Sequence, residues 1–319
     1  MSETQGKIKV GVSACLLGQE VRYNGSHKQL ALLTQELANY FDYVPTCPEM
    51  GAGMGVPRPP MHLVGDPHAP RALKVGDHSV DYTEQVQGYA DERIPQLQDL
   101  CGYVFIKNSP SCGLFRVKVY LDNGYPGQTP GRGLFAAALT KAMPLLPVEE
   151  DGRLHDPVLR ENFITRVFAM QAWRDLCAKG LTAAGLIDLH SRYKYTLMAH
   201  SPQDYSALGK MLADAGKHDP NELGPRYFAG MMQALQRKAT RKSNTNVLMH
   251  LQGYLKKQLQ ATEKSSLGRV IEQYRSGLIP LIVPVTLLKH YFQVFPDPYI
   301  DRQSYFQPYP DELSLRNSL

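Results

Sequence analysis

The chain has 319 residues, 43% hydrophobic and 20% charged. That is enough apolar mass for two packed domains, and it excludes a disordered chain. Five cysteines, odd in number and widely spaced, argue against a disulfide framework and for a reducing, cytoplasmic setting. The net charge of +5 is uneven: residues 1–160 carry 15 Lys+Arg against 17 Asp+Glu, and residues 161–319 carry 20 against 13.

No apolar run reaches the roughly 20 residues of a bilayer span, so no membrane partner is expected. Leu278–Leu288 is broken by Pro280 and Pro284, and Val10–Gly18 has no cleavage site after it. In chain order, Lys7–Ser13 (KIKVGVS) predicts a strand, Gln29–Tyr40 a helix and Phe41–Thr46 (FDYVPT) a second strand. Asp81–Leu100 predicts a helix, Gly102–Lys107 (GYVFIK) and Arg116–Leu121 (RVKVYL) further strands, and Gly133–Met143 a closing helix. Strand–helix alternation of this kind gives an α/β domain with a mostly parallel sheet. The rest reads as helical. Leu186, Leu189, Tyr193 and Leu197 recur at helical spacing, Ser201 followed by Pro202 and Asp204 is a capping box, and Asn246–Gln260 carries an apolar stripe. Gly277 suits a helix C-cap after Leu267–Ser276. The expected organisation is an α/β domain over 1–150, a helical connector over 151–185 and an all-α domain over 186–319.

Cys15 in SACLLG, Cys47 in CPEMG and Cys112 in NSPSCG each fall just past a predicted strand. Ligands of an open parallel sheet bind at the carboxyl ends of its strands. Neighbouring strands are about 4.8 Å apart, so three strand-end thiols can meet within roughly 10 Å. Three thiolates without a fourth protein ligand leave one coordination position open, as catalytic sites do. An all-sulfur set favours zinc or iron–sulfur, and a cubane held by three cysteines exposes one iron. The plain alternative is three separate thiols. Cys101 and Cys177 abut helix-like apolar patterns and read as core residues.

Together SACLLG, RYNG (Arg22–Gly25), CPE and SPSCG resemble the TudS-type thiouracil desulfidases over residues 7–150. YKYTLMAHSPQDYSALG (Tyr193–Gly209), NVLMHLQGYLK (Asn246–Lys256) and YRSGLIPLIVPVTLLKHY (Tyr274–Tyr291) are similar to the helical domain fused to that module in a tRNA 4-thiouridine desulfidase, RudS-like subgroup. The resemblance implies a [4Fe–4S] cluster on Cys15, Cys47 and Cys112. It also implies a non-redox hydrolysis in which the free iron takes the thiocarbonyl sulfur, sulfide being released. The catalytic roles it carries fall on Glu49 of CPE and Ser109 of SPSC. The implied substrate is 4-thiouridine in tRNA or free 4-thiouracil.

Those roles suit the residues. Iron is thiophilic, and water adding at carbon needs a base and a proton donor. Glu49 shares a loop with a cluster ligand, and its plain alternative is an ion pair with Arg58. Ser109 could position water or base, and its alternative is a turn serine before Pro110. Ser13 and Ser111 are alternates, and Arg58 is expected to face substrate beneath the Gly51–Gly53–Gly55 loop. Leu223–Thr262 holds seven Lys/Arg and no acid. Arg226, Arg237, Lys238, Arg241, Lys242, Lys256 and Lys257 there are the expected tRNA phosphate contacts, against the alternative of a solvated helix face. Tyr227 and Phe228, spaced with Met231 and Leu235, read as core rather than base-stacking residues. His190, His200, His250 and His290 read as caps or core. The competing readings are a free-thiouracil desulfidase with a helical assembly domain, and a non-catalytic metal- or sulfide-sensing module.

Overall fold

The computed structural model describes residues 6–313 and 315–317. The ends of the expected domains at 1–5, 314 and 318–319 lie outside the described residues. The chain divides into two compact units, Met1–Asp156 and Pro157–Leu319. The helix expected as a connector, α4 below, lies within the second unit.

The first unit is built on four parallel strands in the order β2–β1–β6–β8: β1 (Ile8–Ser13), β2 (Phe41–Thr46), β6 (Gly102–Phe105) and β8 (Val148–Glu150). Between β2 and β6 come α1 (Pro48–Gly51), β3 (Met61–Val64), β4 (Arg71–Lys74), β5 (Asp77–Asp81) and α2 (Thr83–Arg93). β7 (Val119–Tyr120) and α3 (Leu134–Ala142) precede β8. β1 and β6 are covered on both faces, which is why their sequences are near-continuous apolar runs. Tyr103 lies across β1 so closely that a Cβ on Gly11 would fall 2.2 Å from its ring. The register pairs Ser13 with Thr46 and Val12 with Val104, so the strand ends that bear the three cysteine motifs lie side by side.

A second sheet, β5–β4–β3–β7, was not expected. Its pairings are antiparallel except β3 with β7. It packs Leu63, Ala72 and Val119 against Val86 of α2 and Leu134 of α3. Its strand β7 falls within the strand expected over Arg116–Leu121, whereas β3, β4 and β5 are too short to show a two-residue period, and β5 reads DHSVD. Two expected elements also differ in kind. Leu30, Leu33 and Leu37 are buried, as the helical spacing over 29–40 requires, but the backbone forms only a wide turn over Leu32–Glu36. The apolar spacing records which side is buried and leaves the hydrogen-bond register open. The helix expected over 81–100 ends at Arg93 and tightens over Ile94–Leu97, because Pro95 has no N–H to continue the ladder.

The second unit is helical: α4 (Pro157–Ala178), α5 (Ala183–Arg192), α6 (Lys194–His200), α7 (Pro202–Leu212), α8 (Pro220–Gln236), α9 (Arg241–Tyr254), α10 (Ala261–Arg275), α11 (Ile282–Val294) and α12 (Pro298–Asp301). The expected 186–200 helix breaks at Tyr193 into α5 and α6. Ser201 caps α7 by accepting from the Asp204 amide, and Gly277 takes its left-handed position (φ +86°) after α10. Of the stripe expected over Asn246–Gln260, Val247, Leu251, Leu255 and Leu259 are buried among Tyr195, Leu267, Ile271 and Leu288, whereas Tyr254 is exposed and the helix ends there. Tyr227, Phe228, Met231 and Leu235 are core, with Phe228 stacked on Trp173. Cys101 is buried as expected. Cys177 is exposed, a correction: it lies in the last turn of α4, beside polar Lys179 and Gly180. No helix of the described residues is long and apolar enough to cross a membrane.

Candidate active site

Each cysteine is fixed by the local structure that ends its strand. After β1 the chain makes one tight turn, Ala14–Leu17, closed by Gly18 at φ +91°, and Cys15 sits in that turn. After β2, Cys47 is the N-cap residue of α1, with Pro48 at the first helical position. After β6 the chain passes through Asn108 in the left-handed region to Cys112. There the Ser109 hydroxyl accepts from the Ser111 and Cys112 amides at 3.3 and 3.1 Å.

All three thiols line one cavity of about 530 Å³ at the carboxyl edge of the parallel sheet. Ser13, Thr46, Glu49, Arg58, Ser109 and Ser111 line it too, so every expected catalytic and substrate-side residue is drawn into one place. Burial pushes the Cys15 thiol up to about 11, with Cys47 adding to the effect, and raises those of Cys47 and Cys112. Thiols held this way stay neutral at pH 7 until positive charge reaches them, and a metal core supplies it.

Glu49 is both partnered and placed. Arg58 grips it through Nε at 2.8 Å and through Nη2, the ion pair that the plain reading anticipates. Its other oxygen accepts from the Ser111 hydroxyl at 2.6 Å. Ser111 in turn lies 3.0 Å from Ser109 Oγ and 3.8 Å from Cys112 Sγ. A carboxylate, two hydroxyls and a thiol thus form one chain of contacts. Arg58, 8% exposed, is anchored further by the carbonyls of Gly55 and Val21, each at 2.8 Å. From the cavity wall it therefore orients Glu49. Ser13 lies on the same wall, its hydroxyl accepting from the Ile106 amide at 3.1 Å and donating toward the Cys112 thiol.

The donor set suits an iron–sulfur core: three thiols share one cavity, and soft sulfur donors are what such a core takes. Thr46 Oγ1 is buried in the cavity wall beside the Tyr103 hydroxyl.

Residues 10–151 match the family model described as 2-thiouracil desulfurase. Over this region, the chain belongs to the 2-thiouracil desulfurase family. Residues 194–310 match a protein family of unknown function, DUF1722. The chain is 35% identical over 159 residues to the uncharacterized protein YbgA of Escherichia coli strain K12, covering 50% of this chain and 94% of that one. It is 32% identical over 139 residues to the uncharacterized protein YbbK of Bacillus subtilis strain 168, covering 41% of this chain and 89% of that one. A solved structure of the [4Fe–4S]-dependent thiouracil desulfidase TudS aligns with 28% identity and a TM-score of 0.39, over 47% of this chain and 95% of that one.

The desulfurase module has supports that were not singled out from the sequence. Glu150 accepts from the Leu114 and Phe115 amides, both at 2.9 Å, and so fixes the chain just after Cys112. A Cβ on Gly133 would lie 2.6 Å from the Ser111 carbonyl carbon, so the cysteine loop rests on bare backbone there. Asp151 holds the Lys28 ammonium at 2.9 Å on the cavity wall. Only the fold brings these together, and a run of acids at a strand end gives no sign of which loop it will bind. In the helical unit Lys238, Lys242, Lys256 and Lys257 are exposed, and Arg237 is exposed beside Asp204 at 3.3 Å. Arg241 is different. Its guanidinium donates to the Tyr274 carbonyl at 2.7 Å and lies over that ring.

Proposed function

We propose that the chain is a desulfidase of 4-thiouridine in tRNA, using a [4Fe–4S] cluster held by Cys15, Cys47 and Cys112. The observation that carries this reading is the single cavity in which three strand-end thiols meet the Glu49–Ser111–Ser109 chain. When bound, such a cluster supplies a thiophilic Lewis acid for the departing sulfur at the iron no cysteine holds.

The rest is the work of this chain's own side chains. Arg58 fixes the Glu49 carboxylate so that one oxygen remains on the Ser111 hydroxyl. Glu49 accepts a proton from the water that adds at the ring carbon, directly or through Ser111, and returns it as sulfur leaves. Ser109 holds the backbone of Ser111 and Cys112 with its own oxygen, and so keeps relay and ligand in register. No electrons change hands: a C=S group and water become C=O and hydrogen sulfide. The free thiols suit a reducing compartment. The exposed lysines of the helical unit offer the phosphate contacts that offset the few kcal/mol needed to flip a stacked base.

A second reading, free thiouracil as substrate, is favoured by the family match ending at residue 151, which leaves the helical unit outside it. The test is anaerobic reconstitution, an iron and sulfide count, and loss of thiocarbonyl absorbance from 4-thiouridine-containing tRNA and from 4-thiouracil. Turnover of the tRNA at the higher kcat/KM is expected. Turnover of the free base alone would replace the first reading with the second, and iron without turnover of either would favour a sensing module.

A further inference from the structure

The helical unit contains a cavity of about 150 Å³ whose polar groups serve no role in the sulfur chemistry. It lies among α4, α6, α9, α10 and the C-terminal segment, and Arg241, Arg316, His200, Asn244 and Glu161 line it. The ionic balance there is not closed. Glu161 is the one carboxylate in the lining, facing two guanidinium groups, and it pairs with Arg316, whose Nε lies 3.0 Å from Oε1, and with the Tyr309 hydroxyl, 2.8 Å from the same atom. Arg241 has no carboxylate partner among the described residues. Among the described residues its guanidinium donates one hydrogen bond, to the Tyr274 carbonyl, so further N–H groups stay available. A partly buried cation without a counter-ion is costly, and a bound anion removes that cost.

The other groups are set as donors. Tyr305 donates to Asn244 Oδ1 at 2.9 Å, and that amide, with one N–H toward the Tyr274 hydroxyl, has a second to give. His200 Nδ1 lies 2.5 Å from the Arg237 carbonyl, which fixes it as the protonated nitrogen, and Nε2 can donate once an anion draws a proton to it. Arg241 also opens α9, a helix of 14 residues, whose positive end adds to the field. A neutral base has no use for an uncompensated guanidinium, whereas a tetrahedral oxyanion does.

We propose that this cavity binds a phosphate group, with Arg241 as its principal ligand. Ala239 and Arg241 line the cavity while Lys238 and Lys242, their neighbours in sequence, are exposed. A phosphate at the end of a nucleic-acid strand would therefore enter with its following phosphates near free ammonium groups, which favours a strand end over the free ion. The assignment concerns the helical unit alone and stands or falls without the sulfur chemistry.

The test is calorimetric titration of the full-length chain with inorganic phosphate, a short 5′-phosphorylated RNA, and the same RNA with a 5′-hydroxyl. The 5′-phosphorylated RNA is expected to bind at least tenfold tighter than its 5′-hydroxyl twin. Arg241→Gln is expected to remove that tenfold, and Lys264→Gln on α10 to leave it. Arg241→Lys, which keeps charge but not the fork, is expected to fall between and replaces Arg241→Gln if that variant melts below the assay temperature. Binding of inorganic phosphate that Arg241→Gln weakens, without preference between the RNAs, keeps the phosphate site and assigns it to the free ion. No phosphate-dependent binding, or binding that the Arg241 variants leave unchanged, overturns the proposal.

Discussion

The two units place their polar chemistry by opposite means. In the first, parallel strands end side by side, and each hands its next few residues to one shared cavity. The polar groups there are concentrated: three thiols line one cavity, and one of them, Cys112, joins a carboxylate and two hydroxyls in a chain of short contacts. In the second, helices bury their apolar faces and leave lysines scattered over several surfaces. Charge spread in this way suits a polyanion, because phosphates repeat along a strand and need no single point of contact. The contrast teaches that a site for bond-breaking is built by convergence of strand ends, whereas a surface for a long ligand is built by what a helical core leaves outside.

The sharpest way to break this comparison is to remove one ligand of the shared cavity. Cys112→Ala is expected to abolish cluster assembly and lower turnover at least a thousandfold, read by iron content and thiocarbonyl absorbance. Retained iron with full activity would dissolve the first half of the contrast. Glu49→Gln keeps the size and loses the base. It is expected to cost roughly 10²- to 10⁴-fold in turnover, the span typical of a positioned acid–base group, with the iron count unchanged. Loss of iron along with activity would make Glu49 a structural support instead.

Charge reversal on the helical unit should separate the two means. Lys238→Glu with Lys242→Glu is expected to weaken tRNA binding and flatten its salt dependence by about one unit of slope per lost contact, while 4-thiouracil turnover stays unchanged. Equal losses on both substrates would show that the units do not divide the labour. The smallest effect belongs to the helical scaffold. Ser201→Ala removes the cap on α7 and is expected to cost about 1 kcal/mol in a urea melt, with neither activity nor tRNA affinity altered.

The cysteines were legible because each chemical motif is local: a strand, then a sulfur, then a glycine or proline that forces a turn. The Ser201 cap and the Gly277 stop were legible for the same reason, since capping depends on residues within one turn. The second sheet was legible only at β7, inside the expected strand Arg116–Leu121. Its strands take their identity from packing on α2 and α3, with little pattern of their own. Arg58 was singled out as a group facing substrate, and the fold uses it to hold Glu49. Cys177 was misplaced because an apolar pattern around a residue does not say which way the last turn of its helix faces.

By itself, then, the amino-acid order determined the class of fold, the three soft donors, the acid beside them and the excess of positive charge in the helical half. Those are properties of residue type and of neighbours along the chain. The tertiary structure decided that Glu49 is shared between Arg58 and Ser111, that Glu150 and Gly133 brace the Cys112 loop, and that Arg241 turns toward a cavity instead of lying free like Lys242. Each of these joins residues far apart in the chain, and burial and hydrogen-bond geometry select such a partner only once the core has brought the segments together.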